Sequence, residues 1–250
     1  MKSYKQLIGE IITSKPITRI IKLFYGLDIY KFGGYSIDLT ATEDFIKGSI
    51  FWGLYERSEI KMIKKYMLKD YPIIELGASL GVTSLAISEV SLHKKIVSVE
   101  ANRKLITNLE STKSLNKLQN WTILNYAIDY SGSSHIKFTV DPANLGSHKS
   151  YNHETANIIE VPTITLEKVN KKWLNTEEFV LIADIEGAEI EFVLNDQIFL
   201  QEYCQQMILE LHDTQYKGNS YSKSQIASLI KTECKMNEVF NDGKTWVFNK

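Results

Sequence analysis

The stretch PIIELGASLGVTSLAISEV, at 72–90, constrains the fold of this chain more than any other. Its apolar run ends in the carboxylate of Glu75, and two glycines, Gly77 and Gly81, precede an amphipathic pattern. An apolar run followed by glycines and then a helical period predicts a strand, a tight turn and a helix. Glycine lets a backbone turn sharply and approach a ligand with no Cβ in the way. We therefore expect a ligand at this turn.

The same alternation of strand and helix continues along the chain. Predicted strands are KIVSVE at 95–100, WTILNYAI at 121–128, FVLIA at 179–183 and QMILELH at 206–212. Short strands that alternate with helices form parallel βαβ units. Near the end, Asp242-Gly243 between two β-prone runs predicts an antiparallel hairpin. The sequence thus predicts an α/β fold with a mostly parallel sheet and a C-terminal hairpin.

Two segments depart from this alternation. Residues 1–44 form an N-terminal extension, in which Pro16 divides two short helical patterns and the charge is mainly basic. The basic segment could contact an anionic membrane surface; we favour packing on the main domain, 45–250, or pairing of two subunits. A polar insertion at 141–156 is predicted to be a surface loop or a lid over the substrate.

Composition excludes several classes of partner. The chain has 250 residues, which fits one domain with extensions, and its net charge is -1. A protein that grips nucleic acid usually has a basic excess, so we expect no nucleic acid partner. The sequence has no signal peptide pattern and no apolar run of about 20 residues to span a membrane. Cys204 and Cys234 have neither metal-type nor disulfide-type spacing, which is typical of a reduced, cytoplasmic protein.

The glycine turn differs from the fingerprint of a dinucleotide site. That fingerprint is G-x-G-x-x-G, and here Ala78 and Ser79 stand where the second glycine would have to fall. An acid before the first glycine, Glu75, suits a ligand with a cationic amino acid portion, such as S-adenosylmethionine. Glu100 ends the next predicted strand, where a carboxylate can accept hydrogen bonds from ribose hydroxyls. Because NAD also carries this ribose, Glu100 alone does not choose between the two.

Four stretches resemble the FkbM-type methyltransferases in their order and spacing: PIIELGASLGVTSLAI, VSVEANRKLITNLESTKSLN, VPTITLEKV and LIADIEGAEIEFVL. The resemblance covers about residues 45–212, and D-x-E-G-x-E is its most specific element. It implies a Rossmann-like class I fold with a seven-stranded sheet, and S-adenosylmethionine-dependent O-methylation of sugars or natural-product hydroxyls. The family usually has Asp, Asn and Lys where this chain has Glu75, Ser79 and Ala183. The last difference removes a cation beside the site.

The segment ADIEGAEIE, at 183–191, is the candidate catalytic element. The resemblance implies that it lines the methyl-transfer site, with Asp184 and Glu186 facing the crevice and Glu189 as a further candidate. Acids are also favoured at helix N-termini, which is the competing explanation. We expect Glu191 to be a solvated helix residue.

ILELHD brings a second pair of candidates, Glu210 and His212, to one side of an extended segment. Methylation of a hydroxyl gains from a base that removes its proton, and histidine titrates near neutral pH. We expect His212 or Asp184 to be that base. Oxygen ligands with one imidazole would also suit Mg²⁺ or Mn²⁺, but the spacing does not require an ion, so metal dependence stays open.

The sequence therefore predicts an S-adenosylmethionine-dependent O-methyltransferase whose acceptor is a carbohydrate or related hydroxyl compound. The alternatives are an NAD(P)-dependent oxidoreductase and a non-catalytic binding module on the same fold. By analogy with the fold, Ala127 and Ile128 would border the adenine. The predicted cofactor residues are Glu75, Gly77, Ala78, Ser79, Gly81, Glu100, Ala101, Ala127, Ile128 and Asp184. The predicted catalytic residues are Asp184, Glu186, Glu210 and His212.

Overall fold

The structure is a computed structural model that describes residue 9 and residues 12–40, 42–91, 93–140, 147–149 and 157–250. The predicted polar insertion at 141–156 lies outside the described residues, except for the backbone of 147–149. Within the part of the chain so described, no helix is long and apolar enough to cross a membrane.

The N-terminal part combines helices with a small hairpin. Its elements are α1 (Lys15–Tyr25), β1 (Ile29–Phe32), β2 (Tyr35–Asp38), α2 (Asp44–Phe51) and α3 (Arg57–Tyr66). Pro16 stands in the first turn of α1, where a missing N–H costs no hydrogen bond, and does not interrupt the helix. β1 and β2 pair antiparallel through a turn at Gly33 and Gly34, both of which have positive φ. The division of the chain at residue 44 stays a prediction.

The main domain supplies the other elements. The first group is β3 (Ile73–Leu76), α4 (Val82–Ser91), β4 (Ile96–Val99), α5 (Arg103–Leu115), β5 (Trp121–Leu124), β6 (Ala127–Ile128), β7 (His135–Val140), β8 (Ser147–Lys149), β9 (Asn157–Ile164) and α6 (Leu166–Val169). The second group is β10 (Phe179–Ala183), α7 (Glu189–Asn195), α8 (Gln197–Tyr203), β11 (Cys204–Glu210), β12 (Thr214–Tyr216), β13 (Asn219–Tyr221), α9 (Lys223–Thr232), β14 (Asn237–Asn241) and β15 (Thr245–Asn249). A π-helical turn, Asn170–Leu174, follows α6 directly.

The central sheet has seven strands in the order β14-β15-β11-β10-β3-β4-β5. The five strands from β11 to β5 are parallel to one another, while β15 pairs antiparallel with β11 and with β14. The parallel strands β3, β4 and β10 are buried along their whole length, which explains their unbroken apolar sequences. The predicted Rossmann-like class I fold with a C-terminal antiparallel hairpin is confirmed.

The prediction of one strand at 121–128 was wrong. β5 ends at Leu124, and β6 leaves the central sheet to pair with β9 in a second sheet of order β6-β9-β7-β8. The side-chain amide of Asn125 donates hydrogen bonds to the carbonyl oxygens of Glu100 (2.9 Å) and Ala101 (3.1 Å). These bonds hold the chain beside the end of β4 and interrupt the strand. Ala127 and Ile128 are thereby placed at the edge of the central sheet.

Candidate active site

The turn after β3 is pressed against the end of β10. Gly77 has φ +84°, and a Cβ on it would lie 1.9 Å from the carbonyl oxygen of Asp184. Its N–H donates to the carbonyl oxygen of Val99 at 2.9 Å, which ties the turn to β4 as well. Gly81 has the same φ, and a Cβ on it would meet the ends of the Leu109 and Trp121 side chains. Only glycine fits this approach at Gly77, so the turn brings the ends of β3, β4 and β10 together.

The Glu100 side chain, which follows β4, connects the turn after β3 to the start of α5. Its Oε2 accepts a hydrogen bond from the N–H of Ser79 (2.8 Å), and its Oε1 accepts one from the N–H of Asn102 (2.7 Å). Burial raises the pKa of Glu100, and these backbone donors oppose that effect. A carboxylate has about four acceptor positions, so Glu100 can still accept a hydrogen bond from a ligand hydroxyl.

A cavity of about 560 Å³ opens at the carboxyl ends of these strands. Parallel α/β sheets bind ligands at this edge. Nine of the predicted site residues line the cavity: Gly77, Ser79, Glu100, Ala101, Ala127, Ile128, Asp184, Glu186 and Glu210. The other four, Glu75, Ala78, Gly81 and His212, are not among the lining residues.

Glu75 lies beneath the turn rather than in the cavity. Its Oε2 accepts hydrogen bonds from the hydroxyls of Ser84 (2.6 Å) and Ser98, and the side chain is buried. Burial raises its pKa to about 7, against the lowering effect of the two hydroxyls. The structure therefore places Glu75 where it holds α4 and β4 against β3. Ala78 is likewise buried in the core.

Asp184 follows β10 directly and reaches the floor of the cavity. Its N–H donates to the carbonyl oxygen of Leu76 (3.0 Å), which fixes the backbone beside β3. Its Oδ1 is buried, and no hydrogen-bond partner reaches this atom from the described residues. Burial raises the pKa of Asp184 well above its usual range, and the nearby Glu210 raises it further. A buried carboxylate oxygen with no partner is a group that a cationic or proton-donating ligand would satisfy.

His212 lies behind this floor, surrounded by carboxylates. Its Nδ1 is 3.3 Å from Glu189 Oε1, and its Nε2 is 3.5 Å from Glu210 Oε1. The same Nε2 is 3.6 Å from Glu186 Oε2 and 3.8 Å from Asp184 Oδ1. Burial would lower the pKa of His212, but Glu189 and Glu210 raise it to about 10. The imidazole is therefore a cation at neutral pH, which opposes the predicted role as a base.

Lys244 is a second cation beside Glu210, and the sequence analysis did not predict it. Its Nζ lies 2.5 Å from Glu210 Oε2 and 3.0 Å from Glu59 Oε1. Burial would raise the pKa of Glu210, but hydrogen bonds from His212, Glu59 and Lys244 lower it to about 2. Glu210 is thus an ionised residue held between two cations. Lys244 arrives from the hairpin because Thr245 pairs with Glu210 in the β11–β15 register.

Asp184, Glu210 and His212 also form a donor set for a divalent ion. One ligand atom from each lies within 4.8 Å of the others. Two carboxylates and an imidazole suit Mn²⁺ or Zn²⁺. Such an ion would have to displace the proton of His212, because a metal binds the neutral imidazole. The residues could hold a metal, and they can equally stabilise one another as an ion-pair network.

Three further lining residues were not among the predicted site residues. Glu56 adopts φ +47°, accepts a hydrogen bond from the Thr83 hydroxyl, and has a pKa that burial raises to about 8. The hydroxyl of its neighbour Tyr55 lies 2.9 Å from Ser79 Oγ. Glu191 is buried and lines the cavity, so the expectation of a solvated residue was wrong. A charged residue at positive φ is a sign of function that only coordinates reveal.

The profile of the FkbM methyltransferase domain matches residues 75–237. The chain belongs to the FkbM methyltransferase family. S-adenosylmethionine is the methyl donor that this membership implies, and the enzyme is a methyltransferase. A search of curated proteins gave no significant match.

Two solved structures with a similar fold are distant in sequence from this FkbM-family protein. One is fibrillarin from Aeropyrum pernix in complex with S-adenosyl-L-methionine, at 13% identity and a TM-score of 0.44, covering 90% of this chain and 82% of fibrillarin. Another is a methyltransferase dependent on the same cofactor from Aquifex aeolicus, at 12% identity and a TM-score of 0.41, covering 78% of this chain and 91% of that one. Likenesses this distant say nothing about the substrate.

The charge of the cavity fits the donor of the FkbM family. Among the described residues, six acidic side chains and one lysine, Lys244, line it. S-adenosylmethionine carries a sulfonium and an ammonium, and opposite charges attract strongly in a partly desolvated site. The acidic residues are Glu56, Glu100, Asp184, Glu186, Glu191 and Glu210.

Proposed function

We propose that this methyltransferase transfers its methyl group to a hydroxyl oxygen of a carbohydrate or a related small molecule or glycan. The observation that carries the proposal is the mixed lining of the cavity beyond the glycine turn. Tyr126 and Tyr216 bring aromatic rings, and Gln215 brings a neutral amide. Aromatic faces suit the C–H faces of a sugar, and neutral polar groups suit its hydroxyls.

Of the two predicted bases, we favour Asp184. A base must be able to accept a proton at the working pH. His212 already carries one at neutral pH, since its pKa lies at about 10. Asp184 Oδ1 is buried and has no hydrogen-bond partner among the described residues, and the pKa of this carboxyl is raised. Asp184 can therefore take the hydroxyl proton, while the His212 cation holds the surrounding carboxylates in place.

The remaining residues position the reactants. Bound S-adenosylmethionine supplies an activated methyl group. In this proposal Glu100 accepts the ribose hydroxyls, and the acidic side chain of Glu191 balances the positive charge of the donor. The tyrosines orient the acceptor hydroxyl, and positioning of this kind supplies much of the rate in a transfer between two bound molecules.

The cofactor is tested by calorimetric titration with S-adenosylhomocysteine, with NADH in a parallel run. We expect S-adenosylhomocysteine alone to bind. Glu100→Ala should weaken it about 10- to 100-fold, because hydrogen bonds to a charged group contribute about 1.5–3 kcal/mol. Glu110→Gln, an exposed change on α5, is the matched control. Binding of NADH alone would favour the oxidoreductase, and binding of neither would favour the non-catalytic module.

The acceptor is tested separately by a screen of free sugars, nucleotide-sugars and lipid-linked sugars for methyl uptake. We expect a methyl ether on a sugar hydroxyl, and Asp184→Asn should abolish it while S-adenosylhomocysteine still binds. Methylation at nitrogen or carbon would overturn the proposed acceptor and leave the methyltransferase intact. We also propose that the reaction takes place in the cytoplasm, and the two free, buried cysteines support this placement.

A further inference from the structure

A second cavity, of about 570 Å³, opens beside the active site where α3 faces α2 and the β1–β2 hairpin. We name it the basic groove. Its apolar lining consists of Phe32, Ile50, Ile60 and Val82. Its charged lining consists of Arg57, Lys61, Lys64 and Lys65, and no acidic residue of the described part of the chain lines it.

The four cations share one side of α3. Residues three and four apart on a helix are neighbours, with Cβ atoms about 5–6 Å apart, and 57, 61, 64 and 65 follow this spacing. Two of them have partners already. Lys64 Nζ lies 2.8 Å from Glu89 Oε2, and Lys65 Nζ lies 4.7 Å above the Tyr66 ring.

Arg57 and Lys61 have no such partner. Both are exposed, and within the described ranges neither forms a salt bridge. They lie one helical turn apart at the mouth of an apolar depression. Two adjacent unpaired cations favour an anion with more than one negative charge, and a diphosphate is such an anion.

The basic groove adjoins the active site, because Tyr55 lines both cavities. The two cavities differ in the charged residues that line them. Among the described residues, six acids line the active-site cavity and four cations line the groove. A ligand that extends past Tyr55 would therefore need an uncharged end in the active site and an anionic end in the groove.

We propose that the basic groove binds the diphosphate of the acceptor, with an apolar group attached to that diphosphate resting on the lining of the groove. The inference rests on the proposed function, because it assigns the acceptor hydroxyl to the active-site cavity. Arg57 and Lys61 contact the phosphate oxygens. Phe32 and Ile60 contact the apolar group, which is either the base of a nucleotide or the hydrocarbon chain of a lipid carrier.

Calorimetry of the full chain with three probes tests the groove. The probes are inorganic pyrophosphate, uridine diphosphate and farnesyl diphosphate, which represent the shared anion and its two sources. We expect pyrophosphate to bind and its affinity to fall as salt is added. The double variant Arg57→Gln/Lys61→Gln should weaken it about tenfold, as expected for the loss of two solvent-exposed ion pairs.

A matched variant removes the same charge elsewhere. Lys94→Gln/Lys168→Gln changes two exposed lysines that do not line the groove, and it should leave pyrophosphate affinity unchanged. S-adenosylhomocysteine is titrated into every sample. Unchanged affinity in the groove variant shows that the fold and the cofactor site are intact.

The two larger probes identify the source of the diphosphate. Whichever of uridine diphosphate and farnesyl diphosphate binds more tightly than pyrophosphate indicates the attached group. Failure of both to exceed pyrophosphate overturns the role of the apolar lining. Absence of pyrophosphate binding, or equal weakening in the two double variants, overturns the groove as an anion site. If the wild type binds pyrophosphate but not S-adenosylhomocysteine, the proposed function is contradicted, and the groove remains supported as an anion site.

Discussion

Substitution of Gly77 by alanine perturbs the turn at its point of closest packing. The added Cβ would lie 1.9 Å from the carbonyl oxygen of Asp184 and 3.2 Å from the Ile185 side chain. Neither the oxygen nor the strand that carries it can rotate away. The turn must therefore separate from β10, and the position of Ser79 relative to Glu100 changes with it.

The size of the effect follows from two contributions. An L-residue in the left-handed region costs roughly 1–2 kcal/mol, which Gly77→Ala incurs at φ +84°. Insertion of a methyl group into a packed site costs about 1–3 kcal/mol more. We expect Gly77→Ala to lower the free energy of unfolding by about 2–5 kcal/mol, which is the sum of the two ranges.

Two other glycines separate these contributions. Gly53→Ala meets nothing within 4 Å at φ +62°, so it should show only the conformational cost of about 1–2 kcal/mol. Gly81→Ala has the φ of Gly77, but its nearest neighbour at 2.9 Å is the end of the Leu109 side chain, which can move. The expected order of destabilisation is Gly77, then Gly81, then Gly53.

Urea unfolding measures this order, and calorimetry measures S-adenosylhomocysteine binding by the same samples. Gly77→Ala should lose most of its affinity, because the backbone that faces the ligand has moved, while Gly53→Ala should bind as the wild type does. If Gly77→Ala unfolds at the same urea concentration as Gly53→Ala and binds equally well, the described packing of the turn on β10 is incorrect.

Two further predictions concern pH. Because burial raises the pKa of Glu75 to about 7, the folded protein holds this proton more tightly than the unfolded chain, and stability should fall as pH rises from about 4.5 to 7. Between pH 5 and pH 8, the free energy of unfolding measured in urea should fall by on the order of 2–3 kcal/mol less in Glu75→Gln than in the wild type. An equal fall in the two proteins would contradict the raised pKa of Glu75. His212, with a pKa raised to about 10, stabilises the fold fully below about pH 6.5, and the contribution is lost as pH rises through about 10. His212→Asn should therefore be less stable than the wild type at pH 7 and similar to it above pH 10, and an imidazole pKa near 6.5 by NMR titration would refute the network.

Local sequence determined the strands and the turn. The apolar runs of β3, β4 and β10 are long enough for one strand each and are buried on both faces, so they had to be central and parallel. The glycines at 77 and 81 marked the ligand turn because both adopt the positive φ that L-residues rarely take. The position of Glu100 was also predictable, because the residue after a parallel strand lies at the edge of the sheet where ligands bind.

The face of the sheet to which a strand side chain points was harder to predict. Glu75 stands inside β3, and side chains alternate across a strand, so Glu75 points to the face that carries Ile73, towards α4. Leu76 ends the strand, and it lines the cavity instead. An acid that precedes the glycine in sequence is therefore a buried support in the structure.

Only the tertiary structure decided the chemistry around Asp184. Lys244 reaches Glu210 from a hairpin at the far end of the chain, and Glu56 reaches the cavity from the turn before α3. His212 is surrounded by carboxylates from two elements, which converts an imidazole that titrates near neutrality into a cation. Proton affinity depends on charges a few ångströms away in space, and those charges are not neighbours in sequence. For that reason the sequence could name the family and the turn, while the charges around each carboxyl were visible only in the fold.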